Sequence, residues 1–183
     1  MTRPDFQPTL IGPTITIRPI ATDDWPELFA AGSDPEIWKV HPRSDRYTEP
    51  EFRSYFDSAV ASKMAFVFVD RATGRLIGSS RYYGYEPERS EIEIGWTFVV
   101  REFWGGATNR EVKRLMLDHA FGFVDTVIFW VGEQNWRSQG AMTKIGGVRR
   151  DGLFTRELSG ATPHFIFEIG KRAYEQGGRA LLA

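Results

Sequence analysis

The stretch EIEIGWTFVVREFWGGATNREVKRLMLDHAF, residues 91–121, changes its period halfway along. Its first ten residues alternate as a strand does, with Glu91 and Glu93 on one side and Ile92 and Ile94 on the other. Beyond the glycines, Val112, Leu115, Met116, Ala120, Phe123 and Val124 recur at helical spacing. A strand therefore runs through a loop of small residues straight into a helix. Small residues let a ligand approach the backbone closely, and a helix start carries unpaired N–H groups with partial positive charge. Gly105, Gly106, Ala107, Thr108 and Asn109 are placed to offer such donors to a phosphate. The same residues also suit a tight turn whose glycines only relieve steric strain. Neither a Walker loop nor G-x-G-x-x-G is present, since no Lys-Ser/Thr pair follows.

Working outward, TITIRPI (residues 14–20) alternates as a strand, and Thr22, Asp23 and Asp24 offer caps for a short helix through Trp25, Leu28 and Phe29. Thr48 and Glu51 have capping-box spacing ahead of a helix with Phe52, Tyr55, Phe56, Ala59 and Val60 on one face. AFVFVD and LIGSSRYYGY flank the turn RATG and are expected to pair as a hairpin. TVIFWVG is a further strand, NWRSQGAMTKIGG a helix stopped by Gly146 and Gly147, and GLFTREL and HFIFEI two last strands around SGATP. The order β-α-α-β-β-β-α-β-α-β-β predicts an α/β (α+β) domain with a mixed, mostly antiparallel curved sheet between helices. With no repeat or linker, residues 1–183 read as a single domain with its core at about 14–169.

The formal net charge of −1 gives no general attraction to nucleic acid or to an anionic membrane. Zero cysteines remove disulfides, thiolate metal sites and a Cys nucleophile, and fit a reducing compartment. No apolar run has signal-peptide or membrane-span length, so a cytoplasmic protein is expected. His41, His119 and His164 show no metal-ligand spacing, and no metal is expected. The 6 Trp and 14 Phe exceed what one small core obviously needs, which leaves room for a homodimer.

The segment 91–121 resembles the core of the GCN5-related N-acetyltransferases (GNAT), in particular their ribosomal-protein-alanine acetyltransferase-like (RimJ/RimL-type) branch. Gly105-Gly106-Ala107 is similar to the end of that family's Gln/Arg-x-x-Gly-x-Gly/Ala loop, which grips the pyrophosphate of coenzyme A, although Glu102 stands at the first position with Arg101 beside it. VGEQNWRSQGAMTKIGGVRRDG matches the family's strand–Asn–helix–Gly segment, and the resemblance spans roughly residues 14–169. It implies an acyl-CoA-dependent N-acyltransferase with acetyl-CoA as co-substrate, in which an amine attacks the thioester directly. The strand ending at Val100 would splay from IFWVG, leaving backbone at Phe98, Val99 and Val100 for the pantetheine arm, with Arg101 and Asn135 near the coenzyme.

Glu93 is then the candidate general base, its alternative being a salt-bridged strand residue. Tyr82 and Tyr83, with Trp130 and Trp136, are candidates for the acceptor pocket, against ordinary aromatic packing. Asn135 also suits a plain helix cap. The family often places a Tyr seven residues after this Asn to protonate the thiolate; here that residue is Met142, which cannot donate, and Ser138 is the remaining hydroxyl of the segment. The Arg137 and Arg149-Arg150 cations are read as contacts for the 3′-phosphate or as solvated charge. With no base better than Glu93, the acceptor leans toward an α-amine, as on a peptide N-terminus, or a small amine of low pKa. Alternatives are another acyl donor such as succinyl-CoA, a non-catalytic acyl-CoA-binding protein, and a different phosphate ligand.

Overall fold

The computed structural model describes residues 4–157 and 162–183. Among the described residues, eight strands form one open sheet: β1 (Leu10–Ile11), β2 (Ile15–Pro19), β3 (Ala65–Asp70), β4 (Leu76–Glu86), β5 (Glu91–Val99), β6 (Thr126–Gly132), β7 (Val148–Arg149) and β8 (His164–Gly170). Their order is β1-β2-β3-β4-β5-β6-β8-β7. Every pairing is antiparallel except β5 with β6. The helices that accompany them are α1 (Trp25–Gly32), α2 (Pro35–Trp38), α3 (Glu49–Ser62), α4 (Thr108–Ala120), α5 (Trp136–Lys144) and α6 (Lys171–Gln176).

Strand alternation divides the apolar side chains into two cores. Ile15, Ile17, Phe66, Phe68, Ile92 and Ile94 bury against Val112, Met116 and Ala120 of α4. Val67, Leu76 and Phe98 point the other way, against Leu28 of α1, Trp38 of α2, and Phe52 and Tyr55 of α3. Each such fully buried side chain contributes about 2 kcal/mol relative to exposure. Helix α4 is tied down at its first turn, where buried Glu111 accepts from Thr14 N, Thr14 Oγ1 and Ile15 N at 2.9, 2.5 and 3.1 Å.

The expected strands at 14–20, 65–70, 76–85, 91–100, 126–132 and 164–169 are present within a residue or two. Of GLFTREL, the described residues 152–157 form no strand: Phe154 makes one isolated bridge to His164, and among the described residues the strand before β8 is the short Val148–Arg149. Alternation misleads there because Arg156 is turned inward to an acidic partner. The turn SGATP falls largely outside the described residues. Thr48 does precede α3, yet its hydroxyl makes no cap bond and Glu51 pairs with Arg43 instead. Helices α2 and α6 were not anticipated, being too short for a periodic signal.

Two irregularities interrupt the middle of the sheet. Strands β5 and β6 pair only over Glu91↔Thr126, Ile92↔Val127 and Glu93↔Ile128, then part. On its other edge β5 carries a bulge: between Gly95↔Arg81 and Phe98↔Ser79 it spends two residues, Trp96 and Thr97, against Ser80 alone. Trp96 adopts φ 52°, an uncommon region for a bulky residue, and its carbonyl accepts from Tyr55 Oη at 2.9 Å.

Candidate active site

The glycine loop meets α4 where β5 and β6 have separated. Gly105 has φ 71°, so the turn itself requires glycine there. Gly106 has no such need, and a Cβ on it would approach nothing closer than Phe103 O at 4.0 Å. Among the described residues, the backbone N–H groups of residues 105–110 find no acceptor, and the first amide to bond back is that of Glu111, to Ala107 O at 2.8 Å. Six consecutive donors thus stand without an acceptor at the positive end of a thirteen-residue helix. Thr108 is buried as the first residue of α4 and Asn109 follows it. The loop is braced by Trp104, whose Nε1–H donates to Val99 O at 2.7 Å, and Arg137 of α5 stacks on the Trp104 ring at 4.2 Å. Arg101 is ion-paired with Asp34, and Glu102 with Arg75 at 3.0 Å.

Backbone of Phe98, Val99 and Val100 runs along the parted edge; the Phe98 side chain is buried toward α3 and that of Val99 toward α4. Lys113 of α4 comes up under this gap. Its Nζ donates to Thr97 Oγ1 at 3.1 Å and lies 5.0 Å from the Phe129 ring centroid, so it touches both separating strands. Thr97 Oγ1 is 2.7 Å from Ser80 Oγ, and Ser80 Oγ donates to Gly95 O at 3.1 Å, which orders a chain Lys113 to Thr97 to Ser80 beneath the bulge. Burial lowers the Lys113 pKa to about 7.

On the opposite face a cavity of ≈ 60 Å³ opens at the point of separation, bounded by His41, Arg46, Glu93, Trp96, Trp130, Arg156 and His164 among others. Glu93 is buried, and both its oxygens accept from Arg156, at 2.5 and 2.8 Å. Desolvation raises the Glu93 pKa, with Arg156 opposing. Gly95 makes room for this carboxylate, since a Cβ there would sit 2.7 Å from Glu93 Oε1. Arg156 lies 4.3 Å over the Trp130 ring and 5.0 Å over that of Trp96. His164 donates Nδ1–H to Thr162 O at 2.6 Å, which leaves Nε2 as the basic nitrogen, and desolvation lowers its pKa. His41 is held neutral, its pKa lowered to about 3 by burial and then by Arg46.

Of the anticipated residues, Glu93 and Trp130 therefore line one cavity. Asn135 caps α5, with Oδ1 accepting from Ser138 N at 3.1 Å. Met142 is buried in the α4-side core. Tyr82 does not reach the cavity: it is fully buried on the α4 face and donates its hydroxyl to Met116 O at 2.7 Å. Tyr83, one residue on, faces Trp96 instead, with ring centroids 5.1 Å apart. Arg150 is committed to Glu91 and Glu168 rather than to a phosphate. Arg46, Arg81, Arg156, His164 and Lys113 were not anticipated as site residues, and their spacing carries no local signal.

A strand parting from its parallel neighbour, a glycine loop and a helix tip of open amides follow one another between residues 91 and 121. The family model described as "Acetyltransferase (GNAT) domain" matches residues 14–148. The chain belongs to the GNAT acetyltransferase family. Comparison with curated proteins finds no match. Among solved structures, a protein from T. thermophilus described as an acetyltransferase superimposes with TM-score 0.78 at 26% identity, covering 100% of this chain and 97% of that one. A GCN5-related N-acetyltransferase from Brucella melitensis gives 0.83 at 20% identity, with 97% and 86% covered. Mycobacterium smegmatis RimJ, in complex with CoA-disulfide, gives 0.68 at 18% identity, with 99% and 96% covered. As a GNAT enzyme the chain is an acyl-CoA-dependent N-acyltransferase. Among the described residues no helix is long and apolar enough to cross a membrane.

Proposed function

We propose that this GNAT enzyme transfers an acetyl group from acetyl-CoA to a primary α-amine or small amine. The observation that carries the reading is the run of six acceptor-free amides at residues 105–110 beside the gap between β5 and β6. These residues fit a diphosphate: oriented N–H groups and a helix terminus supply charge complementarity, and glycine at 106 allows close approach where the protein's own packing does not ask for it. Gly105, Gly106, Ala107, Thr108 and Asn109 would hold the diphosphate. Backbone of Phe98, Val99 and Val100 would hold the pantetheine arm, flanked by Arg101 and by Asn135. Acetyl-CoA supplies the acyl carbon, already activated as a thioester.

The acceptor enters through the cavity on the opposite face, with Trp130 as one wall. Glu93 stands at the last position where β5 pairs with β6 and takes the amine proton directly or through water. Arg156 occupies both its oxygens in hydrogen bonds yet leaves further lone pairs on each, and it fixes the carboxylate's orientation. His164 Nε2 favours a second reading, in which the imidazole is the base and Glu93–Arg156 a positioning pair. Ser138 is the hydroxyl proposed to hydrogen-bond the departing sulfur, because Met142 has no proton to give.

Thiol release from acetyl-CoA with a panel of amines, beside calorimetry with coenzyme A, ATP and NAD, tests the reading. Binding of coenzyme A together with amine-dependent release supports it. Binding without release would leave an acyl-CoA-binding protein, and faster release with succinyl-CoA would change the donor. Glu93→Gln and His164→Asn separate the bases, since the pH–rate profile loses its acidic limb only in the variant that removes the true base.

A further inference from the structure

Among the described residues, Arg46 is the one guanidinium on the cavity with no carboxylate within ion-pairing distance. Arg43 pairs with Glu51 and Asp45, and Arg156 with Glu93. Arg46 instead lies over two rings, 5.2 Å from the Trp38 centroid and 5.0 Å from that of Tyr55, and among the described residues its side chain has no hydrogen-bond acceptor. Arg81, behind the bulge, is 95% buried; it donates to Ser58 Oγ at 3.1 Å, lies against the rings of Trp96 and Tyr55, and is favoured by the nearby charge of Glu93. Glu93 is the sole carboxylate among the described lining residues. The one lining carboxylate, Glu93, therefore faces Arg46 as well as its own partner Arg156, with Arg81 buried behind them.

Desolvating a cation without a counter-ion is costly, and the cost is recovered when a ligand brings the missing charge. Two aromatic faces hold the guanidinium and leave its N–H edge available, the arrangement suited to a planar carboxylate bound through two parallel hydrogen bonds. Burial pulls the Arg46 pKa down only to about 10, so it remains charged at neutral pH. Excess positive charge also disfavours an ammonium in the cavity and so favours the neutral, nucleophilic amine. The small volume of ≈ 60 Å³ suits the end of a small molecule.

Resting on the transferase reading above, we infer that the acceptor is a small amine bearing a carboxylate, of the amino-acid class, and that Arg46 binds that carboxylate. The test measures kcat/KM for thiol release from acetyl-CoA with free amino acids, the matching amino-acid amides, and short peptides lacking acidic side chains. Free acids are expected to exceed their amides by at least about tenfold. In Arg46→Met, which keeps an unbranched apolar chain between the two rings, that ratio falls toward one, mainly through KM for the acid; coenzyme A calorimetry verifies that the variant is folded. Equal rates for acids and amides, peptides outpacing both, or an acid-to-amide ratio unmoved in Arg46→Met would each overturn the assignment while leaving the transferase reading intact. Coenzyme A binding with no release by any amine would remove both.

Discussion

Lys113 Nζ donates to Thr97 Oγ1 at 3.1 Å from beneath the separated strands, so an amine on one helix props the bulged end of β5. Its burial makes this prop sensitive to pH. Below about pH 7 the amine is charged in folded and unfolded chains alike, and the folded chain bears the full cost of desolvating it. Between about 7 and the ordinary 10.5 the unfolded chain binds the extra proton, so this group makes stability rise with pH. Lys113→Met should raise Tm at pH 6 by an amount corresponding to several kcal/mol and flatten the rise between pH 6 and 9, measured by thermal unfolding. An unchanged slope would mean that the lysine reaches solvent.

Gly95→Ala should disturb catalysis more than folding. The new methyl would press on Glu93 Oε1 from 2.7 Å and shift the carboxylate within its Arg156 clamp. A fall in kcat of roughly tenfold to a hundredfold is expected, with coenzyme A affinity retained. Steady-state kinetics beside calorimetry would detect it; full activity would place the proton acceptor elsewhere.

Gly105→Glu places a negative side chain at the tip of α4 and forces a residue with a Cβ to φ 71°. Coenzyme A binding should disappear in calorimetry, while far-UV circular dichroism still reports a folded chain. Affinity close to that of the parent would refute the seat.

Asn135→Ala removes the side-chain cap of α5 and should cost about 1 kcal/mol in denaturant unfolding. Asn135→Asp keeps the cap. If the aspartate variant recovers stability but not the KM for acetyl-CoA, Asn135 serves the coenzyme as well as the helix; recovery of both would reduce it to a cap.

The strand–loop–helix at residues 91–121 was legible because each part has a local cause: alternation in EIEI, small residues at 105–107 and helical spacing from Val112 onward. The cavity was not. Its polar walls come from the approach to α3 (Arg46) and from Arg156 and His164 near the end of the chain. No spacing rule links residues that only the sheet order brings together. Tyr82 and Tyr83 show the limit within a single strand, where both aromatics were visible but which face each would take was not: Tyr82 is buried against α4, while Tyr83 stacks near Trp96. Lys113 was hidden because a lone lysine in a helix reads as surface charge until its burial is seen.

The extra residue at Trp96 inverts the parity of its strand. Ahead of it the even-numbered Ile92 and Ile94 meet α4; behind it the odd-numbered Thr97 and Val99 do, while Phe98 turns to the aromatic layer. Losing one residue there would leave composition almost untouched and still exchange the two faces of the strand's final third. Thr97 would swing away from the lysine, and a phenylalanine would be driven into the helix. Homologues with insertions or deletions at this point should therefore differ in chemistry as well as length.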